Sequence, residues 1–115
     1  MTRLNYSISD KQTSKFISLL TLGVLTALDK NLISIDEAEG FIFKPYLAKL
    51  LEQMGSEEKL IDIINLGCEL DDVAILYPED LHVQIKDLLD KTLSVISHSE
   101  NLGRLIDREV KIIED

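Results

Sequence analysis

The sequence contains a single cysteine, Cys68, so no internal disulfide forms, and a 115-residue domain without staples is typical of a reducing compartment. The chain therefore reads as cytoplasmic. Only Arg3 is basic in the first ten residues, and no continuous apolar stretch follows it, so the sequence reads as having no secretory signal. Its longest apolar stretch free of charge, Phe16 to Leu28, has 13 residues and is too short for a hydrocarbon core of about 30 Å. No membrane span is expected. With Gly 5 and Pro 2, composition excludes collagenous and low-complexity chains, and 45% hydrophobic residues exclude disorder as the main description. The length suits one helical domain spanning residues 1–115.

Catalytic signatures are equally scarce. No glycine-rich spacing precedes a Lys-Ser or Lys-Thr pair, so there is no phosphate-cradling loop. His82 and His98 are the only imidazoles, and neither stands in a context that builds a nucleophile and base with Cys68, which reads as a small hydrophobe in an apolar helix. Glu79 and His82 make one Glu-x-x-His spacing, but carboxylate-bridged metal bundles need two copies and further inward glutamates. Glu79 is better read as an acid in a first helical turn and His82 as a surface residue. Glu69, Asp71 and Asp72 lack the Asp-x-Asp-x-Asp-Gly frame of a calcium loop. The expectation is a protein that is not an enzyme and needs no metal or cofactor.

The remaining scarcity is of positive charge in one place. Net charge is −9, with 12 Lys and Arg against 21 Asp and Glu, which argues against direct binding to nucleic acid or anionic lipid. Residues 1–56 are neutral, with six acids and six bases, whereas Glu57 to Asp90 holds ten acids and only Lys59 and Lys86 as bases. That segment alone carries −8, and the remainder −1.

What is present reads as a succession of helices. Leu4, Tyr6 and Ile8 alternate as a brief extended segment before Ser9, whose spacing to Gln12 suits a capping box. From Lys15 to Leu28 apolar residues cover most of a helix circumference, which predicts a central helix contacted from several sides. Asn31 suits its end. Ser34 and Glu37 form a second capping box, opening a helix from Ile35 to about Phe43. Pro45 suits the first position of the next, in which Leu47, Leu50, Leu51 and Met54 share a face before Gly55 closes it. Ser56 is expected to cap a helix striped by Leu60, Ile61, Ile63, Ile64 and Leu66, with Gly67 ending or bending it. A short helix reaches Tyr77, Pro78 breaks the run, and a last strong helix carries Leu81, Ile85, Leu88, Leu89, Leu93 and Ile96 to about Ser97. Beyond Ser99 a helix is preferred, with a strand at Val110 to Ile113 pairing with Leu4 to Ile8 as the alternative. The fold class expected is all-α: a single-domain bundle of five or six helices around one central apolar helix, with a terminal strand pair open.

Helix N-termini favour Glu57, Glu58, Glu79 and Asp80 without any partner. Solubility alone explains less well the near absence of bases over 34 residues, since solvated faces usually interleave both signs. A surface of one sign steers a partner of the other, so the sequence points to a basic protein partner. The candidate binding residues are Glu57, Glu58, Glu69, Asp71, Asp72, Tyr77, Glu79, Asp80, Asp87 and Asp90. Tyr77 reads equally as the aromatic anchor of such a face or as core filler.

The stretch Ile33-Ser34-Ile35-Asp36-Glu37-Ala38-Glu39, the pair Pro45-Tyr46 and the run from Leu60 to Val73 resemble a family of small uncharacterised helical bacterial proteins over about the first four-fifths of the chain. More loosely, size, acidity and helicity resemble the immunity proteins of contact-dependent growth-inhibition systems, which bind a toxin domain in the cytoplasm. That resemblance implies a non-enzymatic, antitoxin-like protein forming a 1:1 complex with a basic toxin domain, most plausibly a nuclease, whose active site it occludes. It transfers no functional residue. The other reading is a regulatory adaptor or homo-oligomeric scaffold.

Overall fold

The computed structural model describes residues 1–104 and 110–115. Strand β1 (Thr2–Tyr6) is followed by helices α1 (Asp10–Asp29), α2 (Ile35–Phe41), α3 (Pro45–Gln53), α4 (Glu58–Gly67) and α5 (Leu70–Leu76). A 3-10 turn (Pro78–Asp80) leads into α6 (Leu81–Ser97), and β2 (Val110–Glu114) returns antiparallel to β1 with Leu4 opposite Ile112 and Tyr6 opposite Val110. The fold is thus mostly helical, and the terminal strand pair that the sequence left open is present as a two-stranded sheet.

The helix boundaries follow local chemistry. Ser34 and Glu37 form the reciprocal capping box, with the Glu37 N–H donating to Ser34 Oγ at 3.0 Å and the Ser34 N–H reaching Glu37 Oε1 at 3.5 Å. Both α1 and α3 close with paired backbone bonds around one residue of positive φ. The Asn31 N–H donates to the Leu28 carbonyl and the Leu32 N–H to that of Ala27, with Asn31 at φ 57°. Gly55, at φ 73°, is held likewise by its own bond to Glu52 and the Ser56 bond to Leu51.

At that second closure lies one departure from expectation. The Ser56 N–H completes the α3 ending, while α4 starts one residue later than expected with Glu57 at its N-cap, and the buried Ser56 hydroxyl makes no hydrogen bond. Ser9 does stand at the N-cap of α1, but its hydroxyl donates to Gln12 Oε1 at 3.1 Å instead of capping a backbone N–H.

The core joins all six helices through residues such as Leu25, Ala38, Leu51, Leu60, Ile64, Leu70, Ile85 and Leu88. Phe43, between α2 and α3, belongs to it as well. The expectation for α1 needs correcting. Leu19 and Leu20 face solvent, while the buried positions in its first three turns are Thr13, Ser18 and Thr21. Each buried hydroxyl returns its proton to the carbonyl four residues earlier, as Thr92 does in α6. Its apolar circumference is therefore not enclosed from several sides; its principal neighbour is α6.

The C-terminal segment is also corrected. Residues 99–104 are irregular, Leu105 and Ile106 lie outside the described residues, and Val110–Glu114 is a strand. The β-branched Val110-Lys111-Ile112-Ile113 run suits a pleated edge, and β1 supplies it with backbone partners that an isolated five-residue helix would lack. Tyr6 fastens this ribbon to the helices, its ring centroid 4.9 Å from that of Phe16 in α1.

Candidate functional site

Cys68 follows α4 directly, and Glu69 begins the turn into α5, a helix of two turns that buries Leu70 and opens with Asp71 and Asp72. Acids in a first turn are favoured by the unpaired N–H groups of the helix start. Here the Asp72 N–H donates to Asp71 Oδ1 at 2.9 Å. The last turn of α5 points outward: Ile75, Leu76 and Tyr77 are 76%, 66% and 58% exposed. Tyr77 is therefore not core filler. Pro78 lacks the N–H that would continue the helix, and the turn behind it presents Glu79 and Asp80, both exposed. Three consecutive large apolar residues thus protrude at a corner flanked in the chain by four carboxylates, with no Lys or Arg between Lys59 and Lys86.

The fold adds carboxylates that the charge partition assigned to the neutral half. Helix α2 packs beside α5, so the Glu39 carboxyl of α2 lies in the field of the Asp71 carboxylate. Desolvation, then the charges of Asp71 and Asp36, hold the Glu39 carboxyl above its ordinary value, with a smaller contribution from Asp72. Partial burial also pushes the Cys68 thiol up, reinforced by Glu39, Asp71 and Glu69. A raised thiol is a poor nucleophile, which suits the reading of Cys68 as a packing residue. The only trace of Asp36 and Glu39 in the sequence is their three-residue spacing on one helix; their neighbours in α5 become visible only on folding.

The other predicted residues lie apart from this cluster. Glu57 and Glu58 stand exposed at the start of α4. Asp87 and Asp90 are exposed on α6, where Asp87 pairs with Lys91 at 2.9 Å. Helices α4 and α6 border a groove of about 510 Å³ lined by Lys59, Asp62, Leu66, Lys91 and Val95 among others, so this side carries cations as well as acids. The segment from Glu57 to Asp90 does not form one uniform acidic surface; its stretch without Lys or Arg, residues 60–85, contains the α5 corner. His82 faces Asp29 of α1, with Nδ1 and Oδ1 3.5 Å apart. Among the described residues no three His, Cys, Asp or Glu side chains are placed to hold one metal ion, and no helix is long and apolar enough to cross a membrane.

Residues 9–111 match the family described as protein of unknown function DUF3969, and the chain belongs to that family. The match leaves β1 and the last residues of β2 outside it. No curated protein and no solved structure matches the chain.

Proposed function

We propose that this protein is a non-enzymatic inhibitor of the immunity type, which binds a basic toxin domain in the cytoplasm and covers its active site. The observation that carries the reading is the α5 corner, where exposed Ile75, Leu76 and Tyr77 sit in a stretch of chain bearing Asp71, Asp72, Glu79 and Asp80 and no base. Contiguous exposed apolar residues rimmed by polar ones are a mark of protein interfaces. The two parts have separate tasks. Carboxylates steer a cationic partner and set its approach, while the apolar residues, once desolvated, set how long it stays. A nuclease suits such a face, because the cations that hold substrate phosphates would meet carboxylates instead.

A Lys or Arg brought against Glu39 and Asp71 would relieve the like-charge repulsion and lower the Glu39 pKa toward its ordinary value.

The test is a binding measurement with the basic C-terminal domain of a secreted toxin encoded beside this chain. The expected result is a 1:1 complex whose association rate falls with salt and falls again when Asp71, Asp72, Glu79 and Asp80 are replaced by Asn or Gln. Tyr77→Ala should leave association nearly unchanged and raise the dissociation rate by about tenfold or more. Failure to form a complex, or association indifferent to these four substitutions, refutes the reading.

A further inference from the structure

The β1–β2 ribbon presents a second surface, independent of the α5 corner. Among the described residues neither strand has another strand on its outer side. The apolar cross-strand pair Leu4 and Ile112 is 73% and 69% exposed. A lone two-stranded ribbon is marginal in water, and three or more strands or cover over an apolar face are the usual remedy. Here the Tyr6–Phe16 ring contact joins the ribbon to the helices.

The free edge of β1 has a specific pattern. The Asp115 N–H donates to the Met1 carbonyl at 2.9 Å, and the Met1 amino group reaches back to the Asp115 carbonyl at 3.5 Å. Antiparallel pairs alternate, so Arg3–Ile113 and Asn5–Lys111 are the hydrogen-bonded pairs, and Thr2, Leu4 and Tyr6 turn their N–H and C=O groups outward. These three residues are spaced symmetrically about Leu4.

From this geometry we infer that the outer edge of β1 docks the same edge of a second copy, antiparallel, with a two-fold axis at Leu4. Leu4 then exchanges both backbone bonds with its counterpart, and each Thr2 does so with the other copy's Tyr6, which makes six bonds in all. Arg3 falls opposite Asn5, so no like charges oppose each other. Ile112, Leu4 and their two counterparts line up across one face of a four-stranded sheet. Charge favours this site over the rest of the molecule. Two copies at −9 repel each other, but the ribbon balances Arg3 and Lys111 against Glu114 and Asp115, with Arg3 and Asp115 paired at 2.6 Å. An isologous interface of this kind closes at two copies.

Sedimentation equilibrium of the full chain in about 0.15 M salt, at concentrations up to about 1 mM, tests the inference. The expected result is a reversible shift from the 13.0 kDa monomer to a dimer. Leu4→Lys, which sets two cations face to face at an exposed position, should weaken association at least tenfold, whereas Ile75→Lys should not alter it. In a Cys68→Ser background, Leu4→Cys should oxidise to a disulfide-linked dimer, because Cα atoms of a hydrogen-bonded pair lie about 5.5 Å apart. A chain that stays monomeric throughout this range overturns the inference, as does a dimer that Leu4→Lys leaves intact or Ile75→Lys dissolves.

Discussion

Gly67, the last residue of α4, lies against the ring of Phe43, so close that a Cβ at position 67 would overlap the ring carbons Cδ1 and Cε1. The contact helps set how the α2–α3 junction meets α4, because Phe43 is buried in the core. What glycine contributes here is the missing side chain rather than backbone freedom, since Gly67 is not among the residues of positive φ.

Gly67→Ala should therefore destabilise the fold by about 1–3 kcal/mol, although alanine is the better helix former. A denaturant titration of Gly67→Ala, Phe43→Leu and the double variant checks this. The cost of the alanine should shrink markedly in the Phe43→Leu background; strict additivity would mean that the two residues do not meet.

The Glu39 carboxyl gives stability a defined pH dependence. Its folded-state pKa lies above the ordinary 4.5, so between the two values the native state holds more protons than the unfolded chain. This contribution to stability falls as pH rises from 4.5 through the folded value, above which the cost is complete. Glu39→Gln should raise the melting temperature at pH 7 by about 1–4 °C, with the gain vanishing below pH 4.5. Thermal melts of both proteins across that range read the difference directly.

Asn31 ends α1 in the left-handed region at φ 57°, a conformation that costs most side chains about 1–2 kcal/mol. Asn31→Gly should leave stability unchanged or raise it by up to about 1 kcal/mol, and Asn31→Val should lower it by about 1–2 kcal/mol. Chemical denaturation of the pair supplies the comparison.

Much of the helical layout was legible because its signals are local. Pro45, Gly55, Asn31 and the Ser34–Glu37 box act through their own backbone or through neighbours a few residues away, and each marks the boundary it suggests. The buried stripes were less legible. Apolar content all round α1 implied burial all round, yet Leu19 and Leu20 meet solvent while Thr21 is buried, because hydroxyls that bond their own helix are tolerated against a neighbour. Ser56 also misled: its N–H serves the ending of α3, and Glu57 stands at the N-cap of α4.

The candidate site divides in the same way. The end of α5 before Pro78 and the lack of bases around it were visible in the chain, since a proline after a two-turn helix and a run of one charge are both sequential features, whereas Tyr77 read equally as anchor or core and only the fold shows it exposed. Glu39 was not visible as a member, nor was the groove between α4 and α6 that brings Lys59 and Lys91 to one side. Net charge counts residues along the chain, whereas electrostatic work depends on distances across it.

By itself the amino-acid sequence determined the helical character, the helix ends and the concentration of negative charge between Glu57 and Asp90. Only the tertiary structure decided that the last residues pair with the first as a ribbon, and that Asp36 and Glu39 join the acids of α5. The physical reason is range: capping, turns and helical periodicity act over about four residues, whereas strand pairing and side-chain repulsion depend on partners that folding brings together.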